Sequence, residues 1–368
     1  MKRFFFSTGE ASGELSATLL AGEIARVAPQ TTFSGIGGER MRKAGFSLRW
    51  NTRGWSSMGP LAAFSRIPKL GAIVLATAWH LQRDAPDLIV LVDFGAFNLR
   101  LARLLRALGY ARPVLYFFPP GAWLDDPRQA HAVAATTTPL TPFTHQRDFY
   151  RSLGLPIAYF GHPLTSAYTM RPLRFPPARD GGTVAVLPGS RRAELNLHLP
   201  VLLQAIEDLR KIRRRARFVV GAADSDARSF IIEMLASHRS GPIDVVDSAQ
   251  SALAAADAAW IASGTAVLEA ALCGVPAITL YILPRATARV ARRVYRGAYV
   301  SIPNLVLQQA VMPEFLQEAA SAENLTPAMD ALLHDPAAQY SRLRSLRSAL
   351  GSPDALAKCA AFALSLVQ

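Results

Sequence analysis

Short, unbroken apolar runs recur along this chain, with helix-periodic segments between them. The runs include RFFFS at 3–7, DLIVLVD at 87–93, PVLYFF at 113–118, TVAVLP at 183–188, RFVVGA at 217–222, IDVVD at 243–247, AAWIAS at 258–263 and PAITLY at 276–281. Between them lie segments such as 13–28, 97–109 and 199–214, whose apolar residues follow a helical period. A strand with one wet face alternates apolar and polar residues, whereas a strand covered on both faces has no reason to. Unbroken strands separated by helices therefore predict parallel sheets with helices on both faces, an α/β architecture.

The segment RPLRFPPARDGGT at 171–183 has no period and is rich in Pro, Gly and Arg, so it reads as a linker. It separates a first half, 1–170, from a second, 184–335. Both halves open alike: an apolar run, a Gly-containing turn, then a helix. The helical tail over about 336–368 is expected to rejoin the first half, with a partner subunit as the alternative. The expected fold is two Rossmann-like doubly wound lobes facing a cleft. That outline serves one of the two large glycosyltransferase architectures (GT-B), and also fits sugar-binding proteins and epimerases.

Composition narrows the classes. With 51% hydrophobic residues the chain is not a disordered one. No apolar run reaches the roughly 18 residues a spanning helix needs, and MKRFFFS is too short for a signal segment, so a cytoplasmic protein is expected. Two cysteines, Cys273 and Cys359, exclude a disulfide framework or a Cys-based metal site. The formal net charge of +13 suits an anionic partner such as a phosphorylated substrate or an acidic membrane, or simply an Arg-rich surface. Nucleic acid fits the charge, but no motif supports it.

Ligands of open α/β sheets sit beyond the C-terminal ends of strands. In LPGSRR, Gly189 would let the backbone approach a phosphate, Ser190 can cap or donate, and Arg191 offers a donor fork. The alternative is an ordinary turn with solvated arginines. In ASGTAVLE, Ser263, Gly264 and Thr265 end a second strand, and Glu269 shares a helix face with Thr265. That carboxylate could accept both hydroxyls of a ribose; a capping turn with an exposed Glu is the other reading. Together the two turns describe a nucleoside-diphosphate site. The phosphate-loop pattern GxxxxGK[ST] is absent, and GIGGER at 35–40 lacks dinucleotide spacing.

In the first half, STGEASGE places Ser7, Glu10, Ser12, Gly13 and Glu14 after the first strand, and VDFGAFN places Asp93 and Asn98 after another. Asp93 is either a base for an acceptor hydroxyl or the N-cap of the following helix. His162, in YFGHPL, either binds a phosphate or bonds backbone at a turn. No HExxH, DxD or paired-carboxylate motif occurs, so a reaction without metal or cofactor is expected. The stretch 53–82 carries Trp55, Met58, Leu61 and Phe64 among Arg53, Arg66 and Lys69. It is either a surface for an anionic membrane and acyl chains or a buried core helix.

Taken in order, these motifs resemble the lipid-A-disaccharide synthase family. The matches are GEASGE (9–14), GIGGERMRKAGF (35–46), MGPL (58–61), VDFGAFNLRLARLLRALG (92–109), PFTHQRDFY (142–150), FGHPL (160–164), LPGSRRAEL (187–195), ASGTAVLEAALCGVPAITLY (262–281) and YVSIPNLVLQQAVMPEFLQ (299–317). The resemblance implies an inverting transfer from UDP-2,3-diacylglucosamine to 2,3-diacylglucosamine 1-phosphate, giving a β-1,6 disaccharide and UDP. UDP would be held by Gly189, Ser190, Arg191, Ser263, Gly264, Thr265, Glu269 and Asn304, with Glu314 and Gln317 nearby. Asp93 matches the proposed base, and Glu10 and Ser12 match cleft residues. The expected partners are a UDP-sugar donor, an acylated sugar phosphate acceptor and the anionic inner face of the cytoplasmic membrane, with a homodimer left open.

Three departures fall in the first half: Glu14 where the family has Asp, Ala96 where it has a second Asp, and a single Trp in YFFPPGAWL (116–124) where it has two. They leave room for a paralogue with another glycolipid acceptor. A UDP-sugar epimerase-like enzyme, or a protein that binds nucleotide sugar or lipid without turnover, are the readings from other classes.

Overall fold

A computed structural model describes residues 1–52, 55, 67–121, 125–173, 180–238, 241–295 and 297–367. The described residues form two units. One holds those up to Ala167 together with the chain from Leu350 onward; the other contains Tyr168–Ala349.

The first unit has seven strands: β1 (Arg3–Ser7), β2 (Thr32–Gly37), β3 (Ser47–Asn51), β4 (Leu88–Val92), β5 (Val114–Phe117), β6 (Thr138–Thr141) and β7 (Ala158–Tyr159). They lie in the order β3-β2-β1-β4-β5-β6-β7, every neighbouring pair parallel. Its helices are α1 (Ala11–Val27), α2 (Glu39–Lys43), α3 (Ile67–Asp84), α4 (Gly95–Ala107), α5 (Pro127–Thr136), α6 (Thr144–Ser152) and α7 (Leu164–Ala167).

The unbroken apolar runs are explained by two cores, one on each face of this sheet. Phe4 and Phe6 of β1, with Leu88, Val90 and Val92 of β4, pack on Leu20 and Ile24 of α1. Phe5, Ile89 and Leu91 point the other way, toward Ile73 and Leu81 of α3 and Leu101 and Leu105 of α4. Alternate residues thus serve different layers, as the pleat requires. Gly35 of β2 has no room for a side chain, because a Cβ there would lie 2.1 Å from the Phe6 carbonyl oxygen of β1.

The second unit repeats the plan. Its strands are β8 (Thr183–Leu187), β9 (Arg217–Gly221), β10 (Asp244–Val246), β11 (Ala258–Ala262), β12 (Ala277–Tyr281) and β13 (Glu314–Leu316), in the parallel order β10-β9-β8-β11-β12-β13. The helices are α8 (Arg192–Ile212), α9 (Ser225–Ala236), α10 (Ala249–Ala255), α11 (Thr265–Cys273), α12 (Arg285–Val294), α13 (Ile302–Leu307), α14 (Ala322–His334) and α15 (Ala337–Ala349). The last, α15, is tied to this sheet: the Gln339 side chain accepts from the Ala277 N–H at 2.6 Å and donates to its carbonyl at 3.0 Å.

The chain then returns to the first unit. Leu356, Cys359, Ala360, Ala363 and Leu364 of α16 (Ala355–Ser365) join the same core as Leu20 and Ile24 of α1. Among the described residues no helix is long and apolar enough to cross a membrane.

Candidate functional site

In both sheets the strand order reverses at one place, between β1 and β4 in the first unit and between β8 and β11 in the second. The loops leaving neighbouring strands there diverge to opposite faces and open a crevice at the strands' C-terminal ends. Glu10 and Asp93 follow β1 and β4; the Gly189 and Gly264 turns follow β8 and β11.

In the first unit, Asn98 is fully buried and joins the two strand ends. Its amide oxygen accepts from Ser7 Oγ at 2.6 Å, and its amide nitrogen donates to the carbonyls of Ser7 (3.2 Å), Val92 (3.2 Å) and Asp93 (2.9 Å). The Asp93 carbonyl also accepts from Tyr116 Oη at 3.0 Å. Asp93 and Phe94 both have φ of 49°, a left-handed conformation uncommon outside glycine. Asp93 is exposed, and the N-cap of α4 is Phe94, with no side-chain cap. The N-cap position thus falls on Phe94 rather than on Asp93, whose backbone is clamped at an exposed position. Strain held in this way by a buried network is typical of functional positions.

The neighbouring residues divide. Glu10 is half-exposed at the start of α1 and makes no capping bond; Ser12 is half-exposed on its first turn and Gly13 is buried against Thr8. Glu14, expected in the cleft, is buried and caps α2, accepting from the N–H groups of Arg40 (3.1 Å) and Met41 (3.4 Å). Burial raises its pKa, and those backbone donors pull it back down.

His162 bonds backbone at a turn. Its ring is 3% exposed, packs 5.4 Å from both Phe118 and Phe143, and accepts from the Leu164 N–H through Nδ1 at 3.2 Å. Burial lowers its pKa to about 3, so it carries no charge for a phosphate. Trp55, left open between a membrane surface and the core, is 8% exposed and packed on Phe94 and Phe97 at 6.4 and 5.6 Å, where its large apolar ring is buried. Met58, Leu61 and Phe64 lie outside the described residues.

In the second unit, the turn after β8 contains a resident anion that sequence reasoning missed. Glu194, on the first turn of α8, folds back and accepts from the N–H groups of Ser190 (2.9 Å) and Arg191 (3.2 Å). Its other oxygen accepts from Arg191 Nη1 (3.1 Å) and Tyr281 Oη (3.2 Å). Gly189, at φ 121°, is required here: a Cβ would sit 2.6 Å from Glu194 Oε2. The amides expected to cradle a phosphate are thus already held by a carboxylate. What this turn offers a ligand is the exposed Ser190 and the Arg191 side chain.

One turn further along α8, His198 is fully buried and bridges two loops. Nε2 accepts from the Ile282 N–H at 3.0 Å, so Nδ1 carries the proton donated to the Pro188 carbonyl at 2.7 Å. Burial lowers its pKa, in keeping with that neutral tautomer. The four-residue spacing of Glu194 and His198 was the available signal.

The turn after β11 is open. The N-cap of α11 is Gly264, without a side-chain cap, so neither Ser263 nor Thr265 spends its hydroxyl on capping. A Cβ on Gly264 would meet no atom within 4 Å. This helix N-terminus, with two half-exposed hydroxyl residues beside it, can receive an anion. Glu269, expected to be exposed if it served no ligand, is 9% exposed and accepts from Tyr168 Oη at 2.5 Å.

Asn304, Glu314 and Gln317 are occupied internally. Asn304 accepts from Val311 N and Met312 N and donates to Met312 O and Glu314 Oε1, all at 2.8–2.9 Å, which uses both lone pairs and both amide hydrogens. Glu314 accepts further from Ser301 N and Oγ and from Val300 N. The Gln317 amide faces both backbone groups of Leu283, and with its oxygen toward the N–H and its nitrogen toward the carbonyl it pairs with them at 2.9 and 3.2 Å. These side chains brace the loops around β13. Among the described residues no group of three or more His, Cys, Asp or Glu is placed to hold a metal.

The same fold is found in a UDP-N-acetylglucosamine 2-epimerase from Neisseria meningitidis bound to UDP-GlcNAc, with a TM-score of 0.64, 13% identity, and coverage of 99% of this chain and 100% of that one. A spinosyn forosaminyltransferase matches at a TM-score of 0.61 and 13% identity, over 100% of this chain and 99% of that one. The architecture is that of the two-lobed GT-B glycosyltransferases and the epimerases built like them. Within that class the sequence is specific. The family model for lipid-A-disaccharide synthetase matches residues 4–352. A lipid-A-disaccharide synthase of Anaeromyxobacter dehalogenans is 34% identical over 361 residues, covering 94% of this chain and 93% of that protein. One from Synechocystis is 32% identical over 372 residues, covering 95% and 94%. The chain belongs to the lipid-A-disaccharide synthase family and is a glycosyltransferase of lipid A biosynthesis.

Proposed function

We propose that the chain joins UDP-2,3-diacylglucosamine to 2,3-diacylglucosamine 1-phosphate. The acceptor's 6-hydroxyl oxygen forms the new bond to the donor's anomeric carbon, the bond from that carbon to the diphosphate breaks, and UDP leaves. Asp93 takes the hydroxyl proton. Ser263, Gly264 and Thr265 receive the diphosphate at the N-terminus of α11, Arg191 and the Ser190 hydroxyl meet it from the turn after β8, and Glu269 accepts from the ribose. The observation that carries this reading is the placement of Asp93: an exposed residue on a left-handed backbone at the end of β4, its carbonyl clamped by Asn98 and Tyr116.

The test is a product assay with both substrates and no added metal, read by mass spectrometry for tetraacyl disaccharide phosphate and UDP. Asp93→Asn is expected to lower kcat by about 10²- to 10⁴-fold with little change in UDP affinity. Undiminished turnover in that variant sinks the assignment of the base. A second reading is favoured by Ala96, where the family has a second Asp. UDP binding without disaccharide formation would point to another glycolipid acceptor.

The chain works at the anionic inner face of the cytoplasmic membrane in this reading. The outer face of α3 supports it, with Leu75 53% and Trp79 64% exposed beside exposed Lys69 and Arg83.

A further inference from the structure

Tyr168 is the first residue of the second unit, and its side chain lies against the middle of α11. It is buried to 7% exposure, and its hydroxyl donates to Glu269 Oε2 at 2.5 Å, the length of a charge-assisted O–H···O bond. The backbone that carries this phenol is strapped down. Arg347 Nη1 donates to the Tyr168 carbonyl at 2.8 Å and reaches the Leu272 carbonyl of α11 at 3.4 Å. Three residues on, Arg171 N–H donates to the Cys273 carbonyl at 3.2 Å, and the Arg171 carbonyl accepts from Tyr340 Oη at 2.7 Å. The segment 168–171 is thus fixed to the C-terminal end of α11 by its main chain, and to the centre of that helix by one phenol.

We infer that Tyr168 is a positioning residue for nucleotide recognition, holding the Glu269 carboxylate in the orientation that accepts a ribose hydroxyl. This rests on the assignment of Glu269 to the ribose. A glutamate side chain has three rotatable bonds and loses entropy when a ligand fixes it. Here part of the loss is met in advance, because one carboxylate oxygen is already anchored to a buried phenol. The resulting pre-organisation acts on the ribose alone, not on the diphosphate or the base.

The test compares UDP with 2′,3′-dideoxy-UDP by isothermal titration calorimetry on the full chain, using wild type, Tyr168→Phe, Glu269→Gln and the double variant. Tyr168→Phe keeps the buried ring, and its thermal midpoint is recorded alongside. The expected result is UDP binding weakened by about five- to tenfold in Tyr168→Phe, 2′,3′-dideoxy-UDP weakened less than about twofold, and a double variant no weaker than Glu269→Gln alone. Equal weakening of both nucleotides, or none in Tyr168→Phe while Glu269→Gln weakens UDP, overturns the inference and leaves the ribose assignment standing. Wild-type UDP affinity in Glu269→Gln overturns the ribose assignment itself.

Discussion

At the scale of the residue, Glu194 decides what the turn after β8 can offer. Its carboxylate satisfies two backbone N–H groups and one guanidinium nitrogen. Glu194→Ala would leave the Ser190 and Arg191 amides without that acceptor, and a loss of about 1–3 kcal/mol is expected in urea unfolding. His162 makes a prediction of opposite character. Its folded pKa of about 3 lies below the ordinary value of 6.5, so between those values the unfolded chain binds a proton that the folded chain does not. Its contribution is therefore intact above pH 6.5 and is lost as pH falls toward 3. An NMR titration should find this ring unprotonated down to about pH 4; protonation near 6.5 would mean the ring is not enclosed by Phe118 and Phe143. The placement of Asp93, Ser263 and Thr265 beyond strand ends was legible in the sequence because each ends or follows an unbroken apolar run. The internal duties of Glu14, Glu194, Asn304 and Glu314 were not, because a carboxylate or amide looks the same in a sequence whether its partner is a ligand or a backbone amide brought near by folding.

At the scale of the element, the loops after β1 and β4 support one another. The Phe94 ring lies over Gly9, where a Cβ would come within 2.2 Å of it. Gly9→Ala must therefore move the residue next to Asp93. A fall in kcat of at least about tenfold is expected, with UDP affinity unchanged, since the turns proposed to hold the nucleotide belong to the other unit. Steady-state kinetics with a separate UDP titration checks this. On α3 the inner residues Ile73, Val74 and Leu81 are core, while Leu75 and Trp79 face outward. Replacing both with Ser should reduce binding to anionic vesicles by roughly tenfold or more while leaving the fold intact. The stretch 53–82 was thus neither wholly surface nor wholly core: Trp55 and one face of α3 are buried. Sequence periodicity found the buried strands β1, β4, β8 and β11, but β6 (TPLT), β7 (AY) and β13 (EFL) are too short or too polar to stand out from turns.

At the scale of the whole molecule, each unit carries its candidate site loops at the first and fourth strands, the pair that flanks the reversal in strand order. The alternation of runs and helices was enough to foresee parallel sheets, since connections between parallel strands need a crossover. It could not assign α15, because a helix at the edge of two candidate cores takes the side that offers it partners; here Gln339 finds both backbone groups of Ala277. The return of α16 has a consequence for biosynthesis. The core around α1 includes Leu356, Cys359 and Ala360, and these leave the ribosome only after all of Tyr168–Ala349 has been made. At about 5–20 residues per second, the first unit waits on the order of ten to forty seconds with that face of its sheet uncovered. The unit translated first is therefore the one completed last, and it is the natural client of chaperones during synthesis.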